Sequence, residues 1–370
     1  MRLRNVFESL PHPEHYDPTD AGKIFRVPYA ERAAAARAWA STHRIPPAGR
    51  DQFRVGLWLI DVQNTFCHPE FELFVAGDSG LGAVDDSERL SSFVYCNLPL
   101  INQVHFSLDT HEAIQIFHPV FFLDEHDEHP APMTPIALDD VLSGRIRVNP
   151  DIVPTIPGAT LESLHEYLEF YCRRLVETGK YELMVWPYHA MLGGIGHALV
   201  SVIEDASFFH GIARASRPRF VLKGRNARSE NYSVLRPEVD RGPDGVAIDG
   251  ASEADADLIE DLLGFDALIV AGQAKSHCVA WTIADLLEAI RARDSRLADR
   301  VYLLDDCSSP VVVPGIADFS VSAETAYERF AAAGMHRVRS TDPPSAWPGP
   351  VGRHALELSR AGSRVMGTAP

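Results

Sequence analysis

The sequence predicts an α/β fold in which a mostly parallel sheet lies between two layers of helices. Three observations predict it. Short apolar runs recur along the 370 residues, each long enough for a buried strand. A helical pattern follows most of them, as crossover connections in a parallel sheet require. Polar or charged residues (Asp61, Asp109, Lys223 and the segment leading to Cys278) close these runs or closely follow them. In an open parallel sheet such strand ends share one edge, and sites form there. The expected architecture is a three-layer α/β/α, Rossmann-like fold with six strands.

Residues 1–52 read as an extension. Pro11, Pro13 and Pro18 mark irregular chain, and the alanine-rich stretch from Tyr29 to His43 reads as a helix that IPPAGR ends. This arm is expected to pack on the main domain or on a partner subunit. The core begins at Phe53, where RVGLWLID is a strand closing on Asp61, followed by a polar loop with Gln63, Asn64 and Phe66. Asp85 to Leu98 reads as a helix. INQVHFSLDTH is the second strand, ending in Asp109 and His111, and His118 follows. The D-x-H spacing puts two metal-capable side chains on one face of an extended segment.

Residues 123–179 read as an insertion. Asp124 to Pro135 is acidic, His-bearing and Pro-rich, either a solvated loop or a source of one ligand through His126 or His129. Leu161 to Thr178 is a helix, with Leu161, Leu164, Leu168, Tyr171 and Leu175 in a packing stripe. Met184 to Gly196 is a loop bearing Trp186 and His189. Its glycines lead into a helix but lack the lysine of a phosphate-binding loop. Arg219 to Gly224 is the third strand and carries Lys223. A polar linker, 241–252, and a helix from about Glu253 to Leu263 precede the fourth strand. Arg300 to Asp306 and His336 to Ser340 complete the sheet, with a helix from Ala323 to Ala333 between them. Residues 346–370 read as a tail without a pattern, so 53–345 reads as one domain.

The fourth strand carries the chemistry. Ala267 to Ala271 is apolar, Gly272 breaks the run, and Cys278 opens VAWTIADLLEAIRA, an apolar-striped helix. Amides gather at a helix start, which favours thiolate over thiol and can also hold an oxyanion. The bland alternative is a core cysteine packed as a small hydrophobe. A base (Asp61) and a cation (Lys223) expected on the same sheet edge favour the reactive reading. Lys275 and His277 flank the cysteine, and His277 is a candidate substrate contact. The five cysteines show no close pairing and no zinc-finger spacing, which suits a reducing compartment. A net charge of −17 argues against nucleic acid as partner. No secretory h-region is visible and no apolar run approaches membrane-spanning length, so a cytoplasmic protein with no membrane partner is expected.

Five segments resemble, in order, motifs of the nicotinamidase and isochorismatase-like cysteine hydrolases: LIDVQNTFC, LDTH, WPYHAMLGGIG, VLKGRNARSENYS and VAGQAKSHCVAWTIAD. The resemblance spans about Phe53 to Asp285 and implies the isochorismatase-like version of the fold. It implies a catalytic triad of Asp61, Lys223 and Cys278. It implies a divalent metal, zinc first with iron or manganese as alternatives, held by Asp109, His111 and His189 with His118 a candidate fourth ligand. Phe66 and Trp186 match positions that sandwich a substrate ring, and Gln273–Ala274 matches a cis peptide that shapes the oxyanion hole. The implied reaction is nicotinamide hydrolysis through a cysteine thioester. The alternatives are the same chemistry on another small amide or carbamoyl compound, a metal hydrolase in which Cys278 is incidental, and a silent binding member. Ala190 stands where nicotinamidases have Cys, and Ile283 where the motif has Ala. The implied partner is a small-molecule amide, and a homo-oligomer is left open.

Overall fold

The computed structural model describes residues 9–248, 253–313 and 315–366. The end of the expected linker, 249–252, and both chain ends lie outside the described residues. Six strands form the central sheet: β1 (Val55–Ile60), β2 (Gln103–Asp109), β3 (Arg219–Lys223), β4 (Ala267–Gly272), β5 (Val301–Leu304) and β6 (His336–Val338). Their order is β6-β5-β4-β1-β2-β3, and each pairing described is parallel. β1 is central and its whole VGLWLI run is buried, because a strand covered on both faces needs no polar alternation. Burial stabilises each of Leu57, Leu59 and Ile60 by roughly 1.5–3 kcal/mol.

The helices are α1 (Tyr29–Thr42), α2 (Gly82–Cys96), α3 (Leu161–Thr178), α4 (Ser201–Arg214), α5 (Glu253–Leu263), α6 (Ala280–Arg293), α7 (Ser320–Ala332) and α8 (Gly349–Met366). Helices of the first unit lie on both faces of the sheet, with α2 packed on α4 and α6 packed on α7. Among the described residues no helix is long and apolar enough to cross a membrane.

The chain divides into two compact units. The first comprises Met1–Leu108, Leu199–Val221 and Ile259–Pro370; the second comprises Asp109–Ala198 and Leu222–Leu258. The first unit holds nearly all of the sheet and the N-terminal arm, which packs on it as one of the two expectations had it. Leu10 N donates to Cys96 O at 2.9 Å and Phe25 N to Ser201 Oγ at 3.0 Å. The fully buried guanidinium of Arg214 donates to Pro46 O and pairs with Asp51, tying the end of the arm to α4.

The second unit carries α3, whose bounds match expectation because its ends are punctuated. Thr160 caps it by accepting from Ser163 N at 3.1 Å, and Gly179 closes it in the left-handed conformation at φ +65°. The stretch read as a loop also contains two short antiparallel pairs, Phe122–Asp124 with Ile146–Val148 and Thr134–Ile136 with Leu183–Val185.

Two further expectations are corrected. The C-terminal tail contains α8, whose start is fixed by Tyr302: its hydroxyl donates to Pro348 O at 2.9 Å and accepts from Val351 N at 3.1 Å. Cys278 does not open the α-helix. It sits in a wider π-type turn, Lys275–Val279, and α6 begins at Ala280.

Candidate active site

In the first unit, the candidate base and the turn bearing the candidate nucleophile follow two paired strands, β1 and β4. Ile60 pairs in register with Gly272, and Gln273 N donates to Ile60 O at 2.8 Å. Gly272 is obligatory at this close approach. Its φ is +125°, and a Cβ would stand 2.0 Å from Ile60 O. Asp61 follows β1 in the left-handed region at φ +50°, an unfavourable conformation for a non-glycine residue and one that recurs at functional sites. The neighbouring strand holds it there: Asp61 N donates to Ser107 O at 3.0 Å, and Ser107 Oγ donates to Asp61 Oδ1 at 3.0 Å. Phe66 follows on the buried turn Asn64–Cys67.

The turn between β4 and α6 carries the candidate oxyanion residues. The Gln273–Ala274 peptide is cis, as the resemblance implies. Ala274 is buried, and its carbonyl accepts from His277 N at 3.0 Å and Val279 N at 3.2 Å. Its own N–H meets no acceptor among the described residues. Buried backbone donors are almost always satisfied, so an open one beside a buried cysteine is a candidate anion contact. His277 is enclosed: its Nδ1 lies 2.9 Å from Ser276 Oγ and its ring packs edge-on against Phe319. Burial pushes its pKa down to about 3, so it is neutral near pH 7.

The second unit gathers the expected metal residues. The ligand atoms of Asp109, His111 and His189 lie within 4.8 Å of one another, and all three residues are buried. The tautomers follow from the backbone. His111 Nδ1 lies 3.2 Å from Gly224 O, His189 Nδ1 2.8 Å from Pro187 O, and His118 Nδ1 3.2 Å from Ala113 O. A carbonyl only accepts, so each Nδ1 carries a proton, and in the neutral imidazole each Nε2 carries a lone pair. That is how metal-binding imidazoles are oriented.

His111 Nε2 stands 3.0 Å from Asp109 Oδ2 yet makes no hydrogen bond there. Two lone pairs at that separation repel unless a proton or a metal cation lies between them. The donor set therefore fits a divalent ion such as zinc, iron or manganese. His118 is outside the group of three. Its ring centroid lies 5.9 Å from those of both His111 and His189, and burial beside those rings pushes its pKa down to about 3.

Lys223 belongs to the same cluster. Its Nζ donates to Asp109 Oδ1 at 3.0 Å and to Asn231 O at 2.7 Å. Burial acts to raise the Asp109 pKa, but the positive charge of His111 in its protonated form and that of Lys223 outweigh it and hold the carboxyl well below its usual range. Trp186 is buried nearby in sequence, its indole N–H donating to Tyr232 Oη at 3.1 Å. Sequence reasoning missed Glu230, a buried carboxyl that burial, then Asp109, push up to about 8. Its one signal was an acidic residue inside the apparently polar KGRNARSENYS loop.

The expected site residues thus fall into two sets. Asp61, Phe66, Gln273, Ala274, His277 and Cys278 lie in the first unit; Asp109, His111, His118, Trp186, His189 and Lys223 lie in the second.

No family model matches this chain, and no curated protein matches it by sequence. Solved structures do match. A nicotinamidase/pyrazinamidase of Acinetobacter baumanii is 18% identical at a TM-score of 0.45, over 79% of this chain and 99% of that one. A pyrazinamidase of Pyrococcus horikoshii in complex with zinc is 16% identical at 0.41, over 77% and 99%. An N-carbamoylsarcosine amidase from Thermoplasma acidophilum is 14% identical at 0.37, over 78% and 98%. In the order of its motifs the chain resembles the nicotinamidase and isochorismatase-like cysteine hydrolases.

Proposed function

We propose that this protein is a metal-containing cysteine amidohydrolase that converts nicotinamide to nicotinate and ammonia. The observation that carries the reading is Cys278, buried on a turn whose Ala274 N–H is open and which leaves the sheet beside Asp61.

Asp61 takes the thiol proton, and the Lys223 ammonium favours the resulting charged state. The thiolate sulfur bonds to the amide carbonyl carbon while the C=O π pair moves onto oxygen, which the Ala274 N–H receives. Collapse re-forms the carbonyl and breaks the C–N bond. The nitrogen leaves as ammonia with the proton that Asp61 held, and a thioester remains. Water then attacks the thioester with Asp61 as base, releasing the acid and regenerating the thiol. The side chains of Asp109, His111 and His189 would hold the divalent ion, which when bound supplies a Lewis-acid contact for a heteroaromatic nitrogen. Phe66 and Trp186 are the proposed contacts for the ring faces.

Ammonia release from nicotinamide, measured with metal content on the same sample, tests this. Cys278→Ala is expected to fold and to lose at least about 10⁴-fold in kcat, as removal of a covalent nucleophile does. Turnover by the variant within tenfold of wild type would remove Cys278 from the mechanism.

A further inference from the structure

Gln273 is almost fully buried, and a buried carboxamide must be satisfied at both ends. Its Nε2 donates to Asp86 Oδ2 at 2.8 Å, and its Oε1 accepts from Ser309 N at 3.4 Å. Asp86 lies on α2, 187 residues away in sequence, and is itself buried. Its second oxygen accepts from Arg89 Nη2 at 2.8 Å, and Arg89 Nε donates to Asp306 O. Asp306 and Ser309 belong to the loop after β5, which also receives Gly272 N on Cys307 O at 3.2 Å and Lys275 N on Ser309 O at 2.8 Å. The bonds close a ring within the first unit: Asp86 to Gln273, to the 306–309 loop, to Arg89, and back to Asp86.

Packing alone does not call for this ring. A buried carboxylate is costly, and apolar side chains at positions 86, 89 and 273 together could fill the same volume without it. A charge-assisted bond supplies direction instead. The residue it directs carries the peptide whose far side is the Ala274 N–H. With Gln273 N already fixed on Ile60 O, holding the Gln273 side chain fixes the direction of the Cα–C bond that leads into that peptide, and His277 N and Val279 N hold the Ala274 carbonyl on its other side.

We propose that Asp86, clamped by Arg89, is a positioning residue that holds Gln273 so that the Ala274 N–H stays aimed at the oxyanion formed on a Cys278-bound substrate. The proposal rests on the cysteine amidohydrolase reading above. It gives α2 a role in catalysis without any contact to substrate.

The test compares Asp86→Ala, Asp86→Asn, Gln273→Leu and the Asp86→Ala/Gln273→Leu double variant. Each is measured for ammonia release and for the rate at which iodoacetamide alkylates Cys278, a displacement at carbon that forms no oxyanion. Removing an oxyanion donor costs of order 10²–10³ in rate, so loosening one is expected to lower kcat by roughly 10–100-fold. Asp86→Ala and Gln273→Leu should each show this loss with KM within about twofold of wild type, and the double variant should be no slower than either, since both break one ring. Asp86→Asn keeps an acceptor for Gln273 and should recover to within about threefold. Alkylation should stay within about twofold throughout.

Wild-type kcat in Asp86→Ala, additive losses in the double variant, or alkylation falling in step with turnover would overturn the proposal. If Asp86→Ala does not fold, wild-type kcat in Gln273→Leu overturns it. If the wild type alkylates but releases no ammonia from nicotinamide, the substrate reading fails and the same variants are read by pyridine-3-carbaldehyde. The Cys278 sulfur adds to the aldehyde carbon, and the π pair moves onto an oxygen in the same position. Affinity should weaken roughly 10–100-fold in Asp86→Ala and Gln273→Leu, and equal affinities overturn the proposal. A wild-type Cys278 that neither alkylates nor binds the aldehyde overturns both readings.

Discussion

Gly224 shows how much of the metal cluster depends on one backbone atom. It follows Lys223 at φ +83°, and a Cβ there would stand 2.7 Å from His111 Cε1 and 3.0 Å from Asp109 Oδ1. Its carbonyl also takes the Nδ1–H of His111, which leaves the Nε2 lone pair for a metal. Gly224→Ala must therefore turn the imidazole or shift the loop. The expected result is a protein about 1–3 kcal/mol less stable that retains little metal after gel filtration. Full metal content in that variant would show that the cluster does not depend on this close packing. The resemblance supplied the Lys-Gly pair, but the reason for the glycine is a contact with a residue 113 positions earlier.

At the scale of elements, α3 does more than cover the second unit. Its Tyr167 hydroxyl donates to Arg228 O at 2.8 Å, and its Tyr171 hydroxyl accepts from Glu230 N at 3.1 Å. Those bonds fix the loop whose Asn231 carbonyl receives Lys223. The apolar stripe that reads as packing thus also supports the loop that receives Lys223. Tyr171→Phe keeps the ring and leaves the buried Glu230 N–H without that acceptor. It should cost about 1–3 kcal/mol in urea unfolding and lower turnover. Unchanged stability would mean that the loop is held from elsewhere. The turn before α6 makes the complementary point. Ala280 to Arg293 is a regular helix, yet the five residues before it coil more widely, so the cysteine is presented by the irregular segment.

For the whole molecule, acid is the predicted weakness. His105 and His210 are buried away from the candidate site. His105 packs edge-on against Phe265, and His210 donates from Nε2 to Ile101 O at 2.9 Å. Burial pushes each of their pKa values down to about 4. Between pH 6.5 and 4 the unfolded chain binds these protons and the folded chain does not, so stability falls as pH drops through that window. Each histidine contributes a loss of up to roughly 3 kcal/mol. Relief of repulsion from a net charge of −17 acts in the opposite direction. His210→Gln keeps a donor for Ile101 O and removes the titration. Its melting temperature should fall less than wild type between pH 7 and 4.5, and identical slopes would exclude His210 as a contributor.

The sequence by itself determined the sheet and the residue types at its edge. Strands buried on both faces are written as continuous apolar runs, and a residue that closes such a run can be placed by chain direction alone. For this reason Asp61, Asp109, Lys223 and Cys278 were legible as residues that close a strand or follow one closely, and α3 was legible from its apolar stripe. Only the tertiary structure decided what holds those residues. Asp86 meets Gln273, Gly224 meets His111, Tyr171 meets Glu230, and Tyr302 starts α8, each across tens to hundreds of residues. A hydrogen bond between distant positions leaves no periodicity in either segment, and a buried carboxylate looks like a solvated one until its neighbours are known. These bonds come into being only when the chain is folded.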